Sequence, residues 1–246
     1  MAVQRWRLVV ARAAGDADAF QRSPLGGWDA ALRACDLPIA GLDAGSRPRI
    51  AIAASLPPGI TGEAELIDIW LVDRRPAWRV REAIASCVPP GFTLLDAYDV
   101  WLGEASLPGQ VVASVYRAEL EVPHSRHPAL REVVDGILDA PSLPRVRHKG
   151  DRTVAYDLRP FVAAIEVGET ATDDAISVRM TLRHDSEKGI GRPEELVAEI
   201  RDRLGSAVVT RALVRERLML ASQEAGQSTA TGRSAAASRR SPRRGA

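Results

Sequence analysis

Apolar and polar positions in the first half of the chain follow two spacings, and together they predict four strands and two helices. The alternating runs that predict strands lie at residues 5–13, 49–55, 64–73 and 92–103. Ser23 and Pro24 provide the start of one helix, and a second helix is expected over residues 77–87. The predicted order is therefore βαββαβ, and its two middle strands should pair as neighbours.

Residues 106–221 repeat this order with additions. The predicted elements are a strand at 110–122, a helix from His127, a hairpin at 143–158 that turns at Lys149, a strand at 175–184 and a helix at 192–205. Apolar residues between 130 and 138 follow the i, i+3, i+4 spacing of a helix face. The pattern at 159–167 and at 208–220 fits either a strand or a helix.

With right-handed crossovers, a βαββαβ order folds into an antiparallel sheet that carries both helices on one face, the ferredoxin-like arrangement. We therefore expect an α+β protein with two tandem ferredoxin-like units, residues 1–105 and 106–221, of which the second is decorated. All five tryptophans fall at core-like positions of the first unit, so packing is a better expectation for them than stacking on bases.

The C-terminal residues 222–246 are predicted to form a disordered basic tail. They include five arginines and one glutamate, are rich in Ala, Ser and Gly, and contain no large apolar side chain. Such a segment cannot offset the entropy that it loses on ordering. The net charge of the chain is +1, so subtracting +4 for the tail leaves −3 for residues 1–221. The tail is either a solubilising extension or a non-specific anchor for nucleic acid.

Composition and spacing argue against several kinds of site. Cys35 and Cys87 are too few and too far apart for a zinc knuckle or an iron–sulfur cluster, so we expect buried free thiols, no metal and no cofactor. His124 and His127 lack a third ligand, and nothing nearby in the sequence orients His148 as a base. No uncharged stretch approaches the roughly 18 to 20 apolar residues of a membrane span, which predicts a soluble cytoplasmic protein without membrane contact.

Several short motifs occur in a fixed order between residues 5 and 205. They are R-P-R-I at 47–50, L-P-P-G at 56–59 followed by Glu63 and Glu65, P-P-G at 89–91, D-L-R-P at 157–160 and G-I-G-R-P-E-E-L at 189–196. Each motif alone is weak, because proline and glycine turns recur by chance. In this order and spacing, the chain resembles the radical SAM-linked family, whose members carry a domain of unknown function.

The resemblance implies a partner. In that family the domain is either fused to the C-terminus of a radical SAM, cobalamin-binding protein or encoded as a separate small protein. Family members have a histidine-leucine-aspartate run at the first helix and a Gly-Phe-Asn-Pro stretch before the R-P-R strand. Here those places read RSPLGGWD and LDAGS. The polar residues best suited to chemistry are therefore missing, which favours a protein that binds rather than catalyses.

Basic side chains collect at the starts of predicted strands. Arg47 and Arg49 flank Pro48, which cannot donate to a strand ladder and so places this start at an edge or end of the sheet. Guanidinium groups that project there suit the oxygens of phosphate. The other candidates for a phosphate-binding groove are Arg145, Arg147, Lys149, Arg152, Arg159 and Arg192, the last at a glycine-containing helix start. The alternative is that these are solvated arginines that pair with Glu63, Asp68 or Asp157.

Three functions remain open at this point. We expect a non-catalytic accessory protein that presents RNA, either transfer or ribosomal RNA, to a separately encoded radical SAM enzyme. A protein-interaction module that docks the same enzyme without touching nucleic acid is the first alternative. A metal-free RNA-processing enzyme is the second, and only the predicted fold argues for it. No catalytic residue is assigned, and the oligomeric state is left open.

Overall fold

The computed structural model of the protein describes residues 1–13, 26–42, 46–57, 59–149, 152–172, 175–205 and 208–221. Within these ranges the chain forms eleven strands and five α-helices, and nine of the strands make one large, mostly antiparallel sheet. The α+β class is therefore confirmed. The predicted tail at 222–246, the predicted helix start at Ser23 and Pro24, and the hairpin turn at 150–151 lie outside the described residues.

The first half contains the six elements that the apolar pattern predicts. They are β1 (Gln4–Arg12), α1 (Gly26–Ala34), β2 (Ile50–Ile52), β3 (Thr61–Leu71), α2 (Ala77–Cys87) and β4 (Phe92–Val100). Strand β3 pairs with β1 and with β2, β1 pairs with β4, and all three pairings are antiparallel. The strand order is therefore β4-β1-β3-β2, and the predicted pairing of the two middle strands is present.

The second half adds a short helix and one two-residue strand to the predicted elements. It contains α3 (Leu107–Gln110), β5 (Val111–Glu121), α4 (His127–Asp139), β6 (Pro144–Lys149), β7 (Arg152–Asp157), β8 (Val162–Thr172), β9 (Ala175–Asp185), β10 (Gly189–Ile190), α5 (Pro193–Leu204) and β11 (Val209–Leu220). Strands β6 and β7 form a separate hairpin, and the sheet order is β11-β5-β9-β8. Both segments with an ambiguous pattern are therefore strands.

The two halves share a continuous sheet through one short parallel contact. Val214 and Arg215 of β11 pair with Thr61 and Gly62 at the start of β3. Strand β2 pairs with residues 67–69 of the same strand. Strand β1 occupies one edge of β3 along its length. Strands β2 and β11 therefore lie one after the other along the opposite edge of β3. The junction between the halves therefore lies beside the loop that leaves β2.

Each half has its own apolar core between the sheet and its helices. Leu8, Trp28 and Ile69 are fully buried in the first core, where the Trp28 ring meets Phe92 edge-on at 5.4 Å. Leu130 and Met180 belong to the second core. No helix of the described residues combines the length and the apolar character that crossing a membrane requires.

Two of the five tryptophans depart from the expected packing. Trp78 is 66% exposed and Trp101 is 76% exposed, so the prediction that all five are packed is wrong for this pair. Trp78 lies in the first turn of α2, where period alone does not distinguish a core position from a rim position. Trp101 follows the last residue of β4 and so lies outside the strand.

Candidate functional site

Three arginines that the sequence analysis did not single out are buried in the sheet. The Nε atoms of Arg5 and Arg7, on β1, both donate to Asp68 of β3, each at 2.8 Å. Asp68 is fully buried, and Arg5 also donates to the carbonyl oxygen of Glu104 at 2.7 Å. A buried guanidinium is stable only when its donors find acceptors. This cluster is therefore structural; the third buried arginine, Arg215, belongs to the cleft described below.

Two of the predicted phosphate-binding arginines remain exposed. Arg47 and Arg49 lie just before β2, on either side of the buried Pro48. The guanidinium carbon of Arg49 is 4.5 Å from the ring centroid of Trp70, and its backbone N–H donates to the carbonyl oxygen of Ala40 at 2.7 Å. Among the described residues neither side chain has an ion-pair partner. Both guanidinium groups are available to an external anion.

Two others are engaged inside the protein. Nη1 of Arg145 lies 3.0 Å from carboxylate oxygens of Glu199 and of Asp202, so this arginine fixes β6 to α5. Arg159 donates to three backbone carbonyl oxygens, two of them at the C-terminal end of α4, where a cation complements the helix dipole. These contacts favour structural roles for both residues. The backbones of three other predicted residues, Arg147, Lys149 and Arg152, form part of the β6–β7 hairpin. Their side chains lie outside the part of the chain that the structure describes.

The acidic partners proposed for these arginines have other contacts. Glu63 pairs with Arg117 at 2.6 Å, and Asp68 holds the buried arginines of β1. Asp157 accepts backbone N–H groups of Leu143 at 2.7 Å and of Arg159 at 2.9 Å, which lowers the pKa of its carboxyl group. Among the described side chains, these three carboxylates form no ion pair with Arg47, Arg49, Arg145 or Arg192.

A cleft of about 470 Å³ opens where the two halves meet. The first half contributes the loop that leaves β2, residues 54–57. The second half contributes Tyr116, His184, Arg215 and the segment 189–194, which runs through β10 into the first turn of α5. Parts of two of the sequence motifs therefore meet here, namely Leu56 and Pro57 of L-P-P-G and residues 189–194 of G-I-G-R-P-E-E-L.

Arg215 lines the cleft and pairs with Glu65. Arg215 is only 1% exposed; its Nε donates to one carboxylate oxygen of Glu65 at 2.9 Å, and its Nη2 contacts the other. It also donates to the carbonyl oxygens of Ala54 at 2.8 Å and Ser55 at 3.3 Å. One guanidinium thus ties β11 to β3 and to the loop after β2. The pair brings no net charge to the cleft.

His184 is another titratable residue that lines the cleft. Its Nε2 atom lies 2.8 Å from the hydroxyl oxygen of Ser114. Burial, and then the nearby charge of Arg215, lower the pKa of His184 to about 4, so the ring is neutral at pH 7. Ser114 is fully buried, which keeps its hydroxyl away from an external carbonyl carbon. The Ser-His contact is therefore not a nucleophile and base of a hydrolase.

Arg192 stands at the mouth of the cleft, at the N-terminus of α5. Its side chain is 49% exposed, and Nη1 is 3.8 Å from the carboxylate of Glu194. No side chain caps this helix. The preceding turn depends on its glycines: Gly189 has φ of +109°, and a Cβ at position 191 would lie 2.9 Å from the Phe161 Cβ. The helix start that was predicted to bind an anion therefore lies beside the cleft, with Arg192 exposed and with Glu194 and Glu195 in the first turn of the helix.

His184 and Arg215 were not identified from the sequence, and Glu65 was noted only as part of a short motif. Glu65, His184 and Arg215 are far apart in the chain, and no local motif links them. Among the described residues no group of three or more His, Cys, Asp or Glu side chains could hold a metal ion.

Comparisons with known proteins give a family but no characterised relative. A family model described as "Uncharacterized protein conserved in bacteria" (DUF2344) matches residues 42–193. The matched range includes β2, the loop after it and the segment that opens α5. It ends before β11, so Arg215 lies outside it. The description does not mention radical SAM enzymes. No curated protein matches the chain.

Two solved structures give only distant likenesses. A chain of "Crystal Structure of a Cbf5-Nop10-Gar1 Complex" aligns at 14% identity with a TM-score of 0.39, over 69% of this chain and 40% of that one. DyPB from Rhodococcus jostii RHA1 aligns at 10% identity with a TM-score of 0.23, over 87% of this chain and 92% of that one. At these TM-scores neither likeness supports an argument about function.

Proposed function

We propose that this chain, which belongs to the family of uncharacterized bacterial proteins DUF2344, is a non-catalytic accessory protein that binds RNA. It would present transfer or ribosomal RNA to a separately encoded radical SAM enzyme. The identity of that enzyme class comes from the sequence resemblance alone. The observation that carries the RNA proposal is the exposure of Arg47, Arg49 and Arg192, whose guanidinium groups are not held by close carboxylates.

The contacts divide the eight predicted basic residues into different groups. Arg145 and Arg159 have internal acceptors, whereas Arg47, Arg49 and Arg192 have donors left for an external ligand. Phosphate contacts by such side chains position a nucleic acid without reading its sequence. An accessory that receives structured RNA needs this kind of contact more than it needs base recognition. We therefore place the RNA backbone on these three arginines.

We also propose that each half is a ferredoxin-like unit. The orders β4-β1-β3-β2 and β11-β5-β9-β8 support this interpretation, because each places the first and third sheet strands of its half in the centre. In the second half the β6–β7 hairpin is inserted between α4 and β8. The insertion accounts for the decorated pattern in the sequence.

The test is RNA binding measured against salt concentration. It uses the full-length chain with its five tail arginines replaced by Ser, so that the tail does not bind the polyanion by itself. Replacing Arg47, Arg49 and Arg192 by Ala should reduce the slope of log K against log salt by about two to three, because each lost phosphate contact removes a released counterion. The matched control replaces the exposed Arg74, Arg81 and Arg131 by Ala.

Two results would contradict the proposal. One is a tail-substituted protein that has no affinity for a transfer RNA or a ribosomal RNA fragment at low salt. The other is an equal change of slope in the test and control variants, since general loss of positive charge would then explain the effect.

A protein-docking module is the second candidate because of one exposed apolar surface. Strand β4 ends the sheet, so one of its edges has no partner strand among the described residues. Leu95 on that strand, and Trp101, Leu102 and Val3 near its end, are exposed. Open edges and exposed apolar patches are features of protein interfaces. Co-purification with the partner enzyme that survives nuclease but is lost in Trp101→Ser would favour this candidate.

A further inference from the structure

The two cysteines of the chain are distant in sequence and lie where the two helices of the first half pack together. Cys35 follows the last residue of α1 and is buried, while Cys87 is the last residue of α2 and is half-buried. Both are free thiols, and the chain has no further cysteine. A thiol reaction within one molecule therefore involves these two residues or none.

The proximity of the two cysteines follows from a shared carbonyl oxygen. Sγ of Cys35 donates to the carbonyl oxygen of Ala83 at 3.3 Å. In an α-helix the same oxygen accepts the N–H group four residues later, which here belongs to Cys87. Both cysteines also pack on one apolar cluster, which includes Trp28 and Ile84. The Cys35 sulfur therefore lies against the last turn of α2, beside Cys87.

We propose that Cys35 and Cys87 form a reversible disulfide when the protein meets a peroxide, and that this bond fastens the end of α1 to the end of α2. A peroxide is the oxidant that fits, because it is small and needs only one accessible thiolate to start the reaction. The arginines of the proposed RNA surface take no part in this chemistry. The inference is therefore independent of the proposed function.

The reaction balances with two thiols and one molecule of hydrogen peroxide. The Cys87 thiolate attacks a peroxide oxygen and the O–O bond breaks, which leaves a sulfenic acid on Cys87 and releases hydroxide. The hydroxide becomes water with the proton that the thiol gave up. The Cys35 sulfur then attacks the Cys87 sulfur, the S–O bond breaks, and the hydroxyl leaves as water with the Cys35 proton. Two electrons thus pass from the sulfurs to the peroxide, and a dithiol reductant reverses the change by thiol–disulfide exchange.

Exposure and hydrogen bonding assign the two roles. Cys87 is open to a small oxidant, whereas Cys35 is only 8% exposed. The Cys35 S–H group can donate to the Cys87 thiolate, and this hydrogen bond lowers the pKa of Cys87. The same bond, and then burial, raise the pKa of Cys35. Burial of Cys87 and its place at the C-terminal end of the α2 dipole oppose the thiolate, so we expect slow, stoichiometric oxidation.

The experiment treats the full-length protein with hydrogen peroxide and counts free thiols by alkylation and intact mass. The unaltered protein should lose both thiols together and regain both with dithiothreitol. Cys35→Ala should stop at a sulfenic acid on Cys87, which dimedone traps, whereas the matched variant Cys87→Ala should keep the buried Cys35 thiol under the same treatment. Cys35→Ser serves as a second variant of the buried site. In urea the two alanine variants should react alike, because burial then protects neither sulfur.

Thermal unfolding provides a second measurement of the same bond. Oxidation should raise the midpoint of the unaltered protein by about 5 °C or more, because the disulfide constrains the unfolded chain. Both alanine variants should show no such rise, and they also control for oxidation of methionine. Thiols that are lost independently of each other, a disulfide that forms only between two molecules, or equal peroxide reactivity of the two folded alanine variants would overturn the proposal.

Discussion

Arg5 and Arg49 approach the same indole ring from two different environments. The guanidinium carbons of Arg5 and Arg49 lie 5.1 Å and 4.5 Å from the ring centroid of Trp70. Arg5 is buried, with Asp68 and two carbonyl oxygens as acceptors, whereas Arg49 is exposed and has no ion pair among the described residues. One side chain is part of the sheet, and the other is available to a ligand.

The difference lies in the neighbours on β3. Arg7 and Ala51 stand opposite Asp68, on the two strands that flank it. Only β1 places arginines where this buried carboxylate can reach them. Guanidinium groups withdrawn from water need such acceptors, while groups left in water do not. Residue type alone therefore does not separate a structural arginine from a binding arginine, and the register of the sheet does.

The largest effect that tests this comparison is expected from Asp68→Ala. The variant leaves two buried guanidinium groups without their shared carboxylate, and removing one partner of a buried ion pair typically costs about 3–5 kcal/mol. Urea unfolding measures the loss. The control is Asp96→Ala, since Asp96 is a half-exposed partner of Arg81 and such pairs contribute at most about 1 kcal/mol. Equal losses in the two variants would show that burial of the Arg5 cluster has no energetic consequence.

The cleft permits a smaller and pH-dependent test. The pKa of His184 falls from an ordinary 6.5 to about 4 in the folded protein, first because of burial and second because of Arg215. As the pH drops below 6.5, the unfolded chain takes up a proton that the folded protein refuses until about pH 4. The free energy of unfolding is therefore unaffected by His184 above pH 6.5. It decreases progressively as the pH falls from 6.5 to about 4.

Thermal unfolding across that pH window should show the effect. His184→Gln removes the titrating group, so its midpoint should fall less on acidification than that of the unaltered protein. The exposed His124, replaced by Gln, is the control. If the midpoint of His184→Gln fell as much on acidification as that of the unaltered protein, the His184 ring would not be buried in a neutral form beside Arg215.

Much of the fold can be predicted from local pattern, and the exceptions have physical causes. The predicted bounds of α2, 77–87, agree with the structure because the helix begins and ends at prolines and has one apolar face. The segment at 208–220 was ambiguous, because its charged and apolar residues fit both periods. It becomes β11 because β5 and β3 offer it strand edges on both sides.

The site was harder to predict than the fold. Arg192 was identified through its glycine-containing helix start, and it does lie at the cleft. Arg145 shares the basic sequence context of Arg147, yet its environment is decided by α5, about 50 residues later in the chain, which supplies three carboxylates. Glu65 and Arg215 meet over a separation of 150 residues. Such contacts depend on the sheet order, which local motifs do not specify.

The smallest effect is expected from replacing the exposed arginines Arg47 and Arg49. Replacing Arg47 and Arg49 together by Ala should change the free energy of unfolding by no more than about 1 kcal/mol. Among the described residues, the only side-chain interaction that is lost is the contact of Arg49 with Trp70. An exposed cation–π pair of this kind contributes about 0.5–1 kcal/mol. Pro48 stays in place, so the start of β2 keeps its geometry. Urea unfolding of the double variant and of each single variant measures the contribution of each arginine to the free energy of unfolding. The Arg47→Ala variant should be as stable as the unaltered protein. A loss comparable to that of Asp68→Ala would mean that these arginines hold β2 in the sheet, and the surface assigned to RNA would then be structural.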